Sequence, residues 1–163
     1  MKFLAHVLAI IVAPAIAQTP EQRELRDIYK ELVEINTTDS VGSCTQAAEA
    51  LKARLKAGGI AESDLQVLVP PGGPKKGNLV ARYRGTGAKK PLMLLGHLDV
   101  VEAKPSDWVL DPFTLTEKDG HFYGRGTLDM KNGDASWVAA LLRLKQEAFA
   151  VLRLAAQVNS DAL

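Results

Sequence analysis

Apolar residues recur at helical spacing in two early stretches, then give way to strand-like runs. Leu25, Ile28, Tyr29, Leu32 and Val33 share one face of an amphipathic helix from Pro20 to about Ile35. Thr19-Pro20-Glu21-Gln22 marks its start: a capping box with proline at the first helical position. Asn36-Thr37-Thr38-Asp39-Ser40 reads as a loop. Its Asn-Thr-Thr also fits the glycosylation sequon, a pattern short enough to arise by chance. Cys44, Ala47, Ala48, Leu51 and Leu55 form a second helical stripe that Gly58-Gly59 stops. On that stripe Cys44 reads as a small core residue rather than a nucleophile.

Beyond Gly59 the period shortens. Leu65–Val69 is a short apolar run with strand character, and Pro70-Pro71-Gly72-Gly73-Pro74 is a loop. Asn78–Tyr83 alternates, with Leu79, Ala81 and Tyr83 on one face. Pro91–Leu95 is continuously apolar, as expected of a strand buried on both faces. Phe113–Thr116 and His121–Tyr123 predict a hairpin turning at Asp119-Gly120. Met130–Glu147 reads as a long helix carrying Val138, Leu141, Leu142 and Lys145. Helices alternating with apolar strands point to a three-layer α/β/α domain.

Composition narrows the function classes. In 163 residues, 47% are hydrophobic and 24% charged, which suits one packed domain. Lys+Arg is 20 against 19 Asp+Glu, so no basic footprint points to nucleic acid or an anionic membrane. A single cysteine excludes an internal disulfide framework. Met1-Lys2, an apolar run from Phe3 to Ala17 and the ending Ala15-Ile16-Ala17 read as a secretory signal peptide; a buried first helix is the alternative. Cleavage after Ala17 implies a secreted or periplasmic protein with no membrane association afterwards.

Two clusters carry candidate chemistry. The apolar run Pro91–Leu95 leads into Gly96-His97-Leu98-Asp99-Val100-Val101, and ligands of open α/β sheets bind beyond the carboxyl ends of strands. Residues two apart in extended chain point the same way. A carboxylate beside a histidine can take its second N–H and leave the other nitrogen for a metal. His-x-Asp alone is also compatible with an ordinary core or surface pair. The second cluster is Gly124-Arg125-Gly126-Thr127-Leu128-Asp129-Met130-Lys131. By itself Asp129 reads as a helix N-cap. There is no Gly-x-Ser-x-Gly elbow, Walker loop, dinucleotide fingerprint or Cys-x-x-Cys.

Taken together, the order and spacing of the two clusters, with Trp108, Asp111-Pro112-Phe113, Asp119-Gly120 and Tyr123 between them, are far more specific. The chain resembles the co-catalytic zinc peptidase family that includes glutamate carboxypeptidase, acetylornithine deacetylase, succinyl-diaminopimelate desuccinylase and aminoacylase. The resemblance runs from about Glu21 to Phe149 and is strongest over Met93–Gly133. It implies a mixed sheet in the α/β/α domain and hydrolysis of an amide bond in a peptide or N-acyl amino acid. His97 matches a zinc-binding histidine, Asp99 the catalytic carboxylate that holds and polarises it, and Asp129 the aspartate bridging two zinc ions. Paired metals lower the pKa of a bridging water and stabilise the oxyanion, while a glutamate serves as general base. Cobalt or manganese can replace zinc in such donor sets. His121 falls where the family varies and reads as a surface residue. Arg125 reads as a loop-fixing residue, and Trp108 and Trp137 as packing residues.

The pattern then departs from the family. Its general-base and zinc-binding glutamates follow the next strand, whereas the last glutamate in this sequence is Glu147. Ala150–Val158 suits that strand, but Asn159-Ser160-Asp161-Ala162-Leu163 follows it, with Ala162-Leu163 where the pair is expected. Of the family's zinc ligands only His97 and Asp129 have counterparts. The reading is a leader over 1–17, the N-terminal part of a catalytic domain over 18–149 and a truncated or divergent tail over 150–163. The expectation is an incomplete hydrolase with little or no activity; a non-catalytic remnant or partner-binding domain is the alternative. Oligomeric state has no signature in this sequence.

Overall fold

The computed structural model describes residues 17–147. The expected leader, apart from Ala17, and the tail from 150 onward lie outside these residues, as does the Ala150–Val158 strand.

Three helices form the core. Helix α1 spans Pro20–Glu34, α2 Cys44–Ala57 and α3 Lys131–Glu147. The capping box is present: Gln22 N–H donates to Thr19 Oγ1 (3.3 Å), and Thr19 N–H donates to Gln22 Oε1 (2.9 Å). Ser43 caps α2, its Oγ accepting from Gln46 N–H at 3.2 Å. Helix α1 lies along α3, burying Ile28, Leu32 and Val33, while Val138, Leu141 and Leu142 line the buried face of α3. Ala47, Leu51 and Leu55 of α2 complete the same apolar cluster.

The domain is mixed α/β, with two small antiparallel sheets among the described residues. Strand β1 (Leu65–Leu68) pairs with β2 (Asn78–Ala81), Leu65 opposite Ala81, and packs on α2. Leu79, Ala81 and Tyr83 turn toward the core as the alternation predicts. Strands β3 (Thr116–Lys118) and β4 (His121–Tyr123) form the hairpin, which starts later than Phe113. It turns at Asp119 (φ 53°) and Gly120 (φ 75°). Two positive φ values are what a tight hairpin of matching twist requires.

One expectation is corrected. Pro91–Leu95 forms no strand, and Leu92, Met93, Leu94 and Leu95 are all exposed. A strand buried on both faces needs hydrogen-bonding neighbours at its edges and a layer above and below. The described chain gives this run neither ladder. A cavity of about 250 Å³ separates Met93–Leu95 from β2, with Leu51, Leu55, Val138 and Leu141 also lining it.

Candidate metal centre

Helix α1 and the loop after it organise both candidate clusters. Tyr29, on the buried face of α1, donates its hydroxyl proton to the Thr127 carbonyl at 2.8 Å. That fixes the loop leading to Asp129. The Asn36–Ser40 loop grips the other cluster. Thr37 Oγ1 donates to the Leu98 carbonyl (2.7 Å), and Val100 N–H donates to the Thr37 carbonyl (3.3 Å). Ser40 donates its main-chain N–H and its hydroxyl to the Glu102 carboxylate at 3.0 and 2.9 Å. Buried Thr37 is therefore a structural clasp, while Thr38 bonds within the loop, donating its N–H and hydroxyl to Asn36 Oδ1. A polar loop motif alone does not reveal the role of Thr37, because its partners are main-chain groups far along the chain.

The glycines of the second cluster serve close packing. Gly126 has φ 82°, and a Cβ there would lie 2.7 Å from Val100 Cγ1 and 3.1 Å from Lys131 Cδ. Arg125 fixes its loop as expected: its N–H donates to the Pro112 carbonyl at 2.6 Å, and its guanidinium lies 5.0 Å from the Trp108 ring centre. Trp108 and Trp137 are half-buried. His121 is exposed on β4, its Nδ1 2.9 Å from the Asp119 carbonyl.

His97 and Asp129, 32 residues apart, meet. His97 Nε2 lies 3.0 Å from Asp129 Oδ1. The carboxylate of Asp129 is thus turned to the histidine, not folded back as a cap on α3. His97 Nδ1 lies 3.0 Å from the main-chain carbonyl of Asp99 and 3.5 Å from its Oδ1. The short contact to Asp99 is made by its backbone, a difference from the side-chain grip expected above. A carbonyl accepts only, so Nδ1 carries the proton and the Nε2 side faces Asp129. Desolvation works against the charged imidazole. The Asp99 carbonyl, the hydrogen bond to Asp129 and both aspartate charges outweigh it, and the His97 pKa is raised.

A cavity of about 400 Å³ adjoins His97 and Asp99, lined also by Thr38, Cys44, Lys75 and Lys76. Cys44 is half-buried at the start of α2 and lines this cavity, so it is not the core residue its stripe suggests. Burial, and then the Asp99 charge, push its thiol pKa up, which keeps it protonated and a poor nucleophile.

An imidazole nitrogen and a carboxylate oxygen suit a borderline divalent cation. Two ligands roughly 2.0–2.2 Å from one zinc ion stand about 3–3.5 Å apart, close to the spacing found here. The pair therefore fits as part of a metal site. Among the described residues, no group of three or more His, Cys, Asp or Glu is gathered to hold an ion.

Two further residues of this region have no conspicuous sequence signal. Lys131 is fully buried, its Nζ donating to the Ile35 carbonyl at 2.9 Å. Asp134, one turn later, is 7% exposed. Burial pushes the Lys131 pKa down to about 8 and that of Asp134 up to about 6.

Comparison with known proteins finds similarity along part of the chain. Residues 93–159 match Peptidase family M20/M25/M40. A probable succinyl-diaminopimelate desuccinylase of Staphylococcus epidermidis is 50% identical over 72 residues, covering 44% of this chain and 17% of the relative. A succinyl-diaminopimelate desuccinylase of Delftia acidovorans is 48% identical over 66 residues, covering 39% of this chain and 17% of that protein. The chain thus spans 17% of the length of these relatives. A crystal structure of human carnosine dipeptidase 1 superposes with a TM-score of 0.58 at 26% identity, over 80% of this chain and 30% of that one. The chain is thus similar in sequence to Peptidase family M20/M25/M40 across residues 93–159, and similar in fold to human carnosine dipeptidase 1 across 80% of its length.

Proposed function

We propose that the chain carries part of the metal centre of a metal-dependent amide hydrolase. The observation that carries this reading is the meeting of His97 Nε2 and Asp129 Oδ1 at 3.0 Å, from two clusters that the fold brings together. His97 and Asp129 would hold a divalent cation, zinc in the first instance and cobalt or manganese as substitutes. Such a cation supplies Lewis-acid polarisation of a carbonyl and an activated water.

The chain's own residues do the rest. The Asp99 carbonyl accepts a hydrogen bond from His97 Nδ1–H and so keeps Nε2 as the nitrogen available for a ligand. Asp99 and Asp129 add negative charge around that nitrogen. Thr37 and Tyr29 hold the two loops at their meeting point. The cavity of about 400 Å³ beside His97 supports a peptide or N-acyl amino acid as the substrate class. The apolar run Phe3–Ala17 after Met1-Lys2 supports export to a secreted or periplasmic location.

Calorimetric titration with Zn²⁺ tests the reading. Two donors hold zinc weakly, so the expected affinity is far below that of a complete site. His97→Ala should remove the binding at this position. A His97→Ala variant that binds Zn²⁺ like the parent chain would eliminate the assignment.

A further inference from the structure

Helix α3 opens with Lys131-Asn132-Gly133-Asp134, and both charged residues lie on its buried face. Charged side chains are rarely so covered unless they are paired. Lys131 has the Ile35 carbonyl. Asp134 has less: its Oδ2 is buried with no hydrogen-bond partner among the described residues. Removing a carboxylate from water without such partners is costly, and an apolar residue would serve the helix better.

The position of this carboxylate is specific. Its Oδ1 is packed against Gly96, the residue directly before His97, so closely that a Cβ on Gly96 would overlap it. The same Cβ would also come within 2.8 Å of Trp137 Cζ3. A side chain at 96 would therefore force Asp134 and Trp137 to shift. The His97 and Lys131 charges both act on Asp134, opposing the effect of burial. In a medium poorer than water at screening, a buried charge acts more strongly on its neighbours.

We propose that Asp134 is a positioning residue for the metal centre: its buried carboxylate, seated against Gly96, fixes the chain entering His97 and places a negative charge behind the imidazole that favours a divalent cation. This rests on the reading of His97 as a metal ligand. Asp134 does not itself reach the cation; it acts through Gly96 and His97.

A purely structural role and this one differ in sign. Asp134→Asn keeps the shape and removes the charge. A residue that only packs would lower Tm when altered and leave metal affinity alone. The positioning role predicts a higher Tm, because a buried charge whose Oδ2 has no hydrogen-bond partner among the described residues is gone, together with Zn²⁺ binding weaker by about tenfold, the scale of outer-shell losses at metal sites. The experiment is Zn²⁺ titration by calorimetry and thermal melting of the full chain, comparing the parent, Asp134→Asn, Gly96→Ala and His97→Ala. Gly96→Ala should weaken Zn²⁺ binding by displacing the carboxylate or the histidine, and it tests the same contact from the other side. Unchanged affinity in Asp134→Asn or in Gly96→Ala overturns the proposal. So does a parallel fall of Tm and affinity in Asp134→Asn. If His97→Ala loses Zn²⁺ while Asp134→Asn binds normally, only this inference fails. If His97→Ala binds like the parent, the metal centre fails and this inference with it.

Discussion

Leu32 lies among Lys30, Glu31 and Glu34 in the sequence and Leu95 ends a continuous apolar run, yet Leu32 is fully buried and Leu95 is 77% exposed. The difference lies in what each backbone needs. Helix α1 satisfies its own hydrogen bonds and needs cover on a single face, which α3 provides. The run Leu92–Leu95 requires neighbouring strands at its edges before its side chains can be covered, and a cavity stands between it and β2. Helical burial takes one partner; strand burial is collective. The Leu92–Leu95 run is also the segment that delivers His97, so the best-packed part of the molecule and the candidate site meet at an open seam. The helices hold that seam from their own side, through Tyr29, Thr37 and Lys131.

Three experiments probe this contrast, beginning with the largest effect. Leu32→Ala removes a fully buried side chain and should cost about 2–5 kcal/mol in urea unfolding, whereas Leu95→Ala should stay within about 0.5 kcal/mol. Equal losses at the two positions would erase the distinction. The second measures stability against pH at the start of α3. Asp134 has a raised folded pKa of about 6, so its contribution is full below the ordinary carboxylate range and lost as pH rises through 6. Lys131 has a lowered folded pKa of about 8, so its contribution is full above the ordinary lysine range and lost as pH falls through 8. Both are therefore least favourable between pH 6 and 8. Asp134→Asn should flatten the acidic limb of the unfolding profile, and an unaltered limb would show that Asp134 titrates normally. The smallest effect belongs to Thr19→Ala, which opens the capping box at the far end of α1. About 1 kcal/mol of stability should be lost, with Zn²⁺ affinity unaffected. A change in Zn²⁺ affinity would mean that the start of α1 is coupled to the seam.

Much of the fold was legible in the sequence wherever structure is local. Thr19-Pro20-Glu21-Gln22, Gly58-Gly59 and Asp119-Gly120 act within a few residues, and each marks the boundary it predicts. Pro91–Leu95 departs from its expected strand because a continuous apolar run states that burial is wanted, not that neighbours are present to provide it. The start of β3 was read too early for a related reason, since Phe113–Leu115 precede the residues that find a ladder partner. At the site, His97, Asp99 and Asp129 stand out through the family resemblance that the order and spacing of their clusters carry. Cys44 was placed in the core because its helical phase matches Ala47 and Leu51, but its position at the first turn of α2 leaves it on the cavity wall. The burial of Lys131 and Asp134 has no signal in the sequence, because charged residues at a helix start are ordinarily solvated.

The helices with their caps, the hairpin turn and the residue types able to bind a metal follow from the order of residues, because those depend on neighbours in the chain. That His97 Nε2 faces Asp129, that a backbone carbonyl holds Nδ1 and that a buried carboxylate lies beneath Gly96 follow from long-range packing. Those relations join residues tens of positions apart through main-chain groups and packing. Such groups are alike at every residue and leave no mark in the order of side chains.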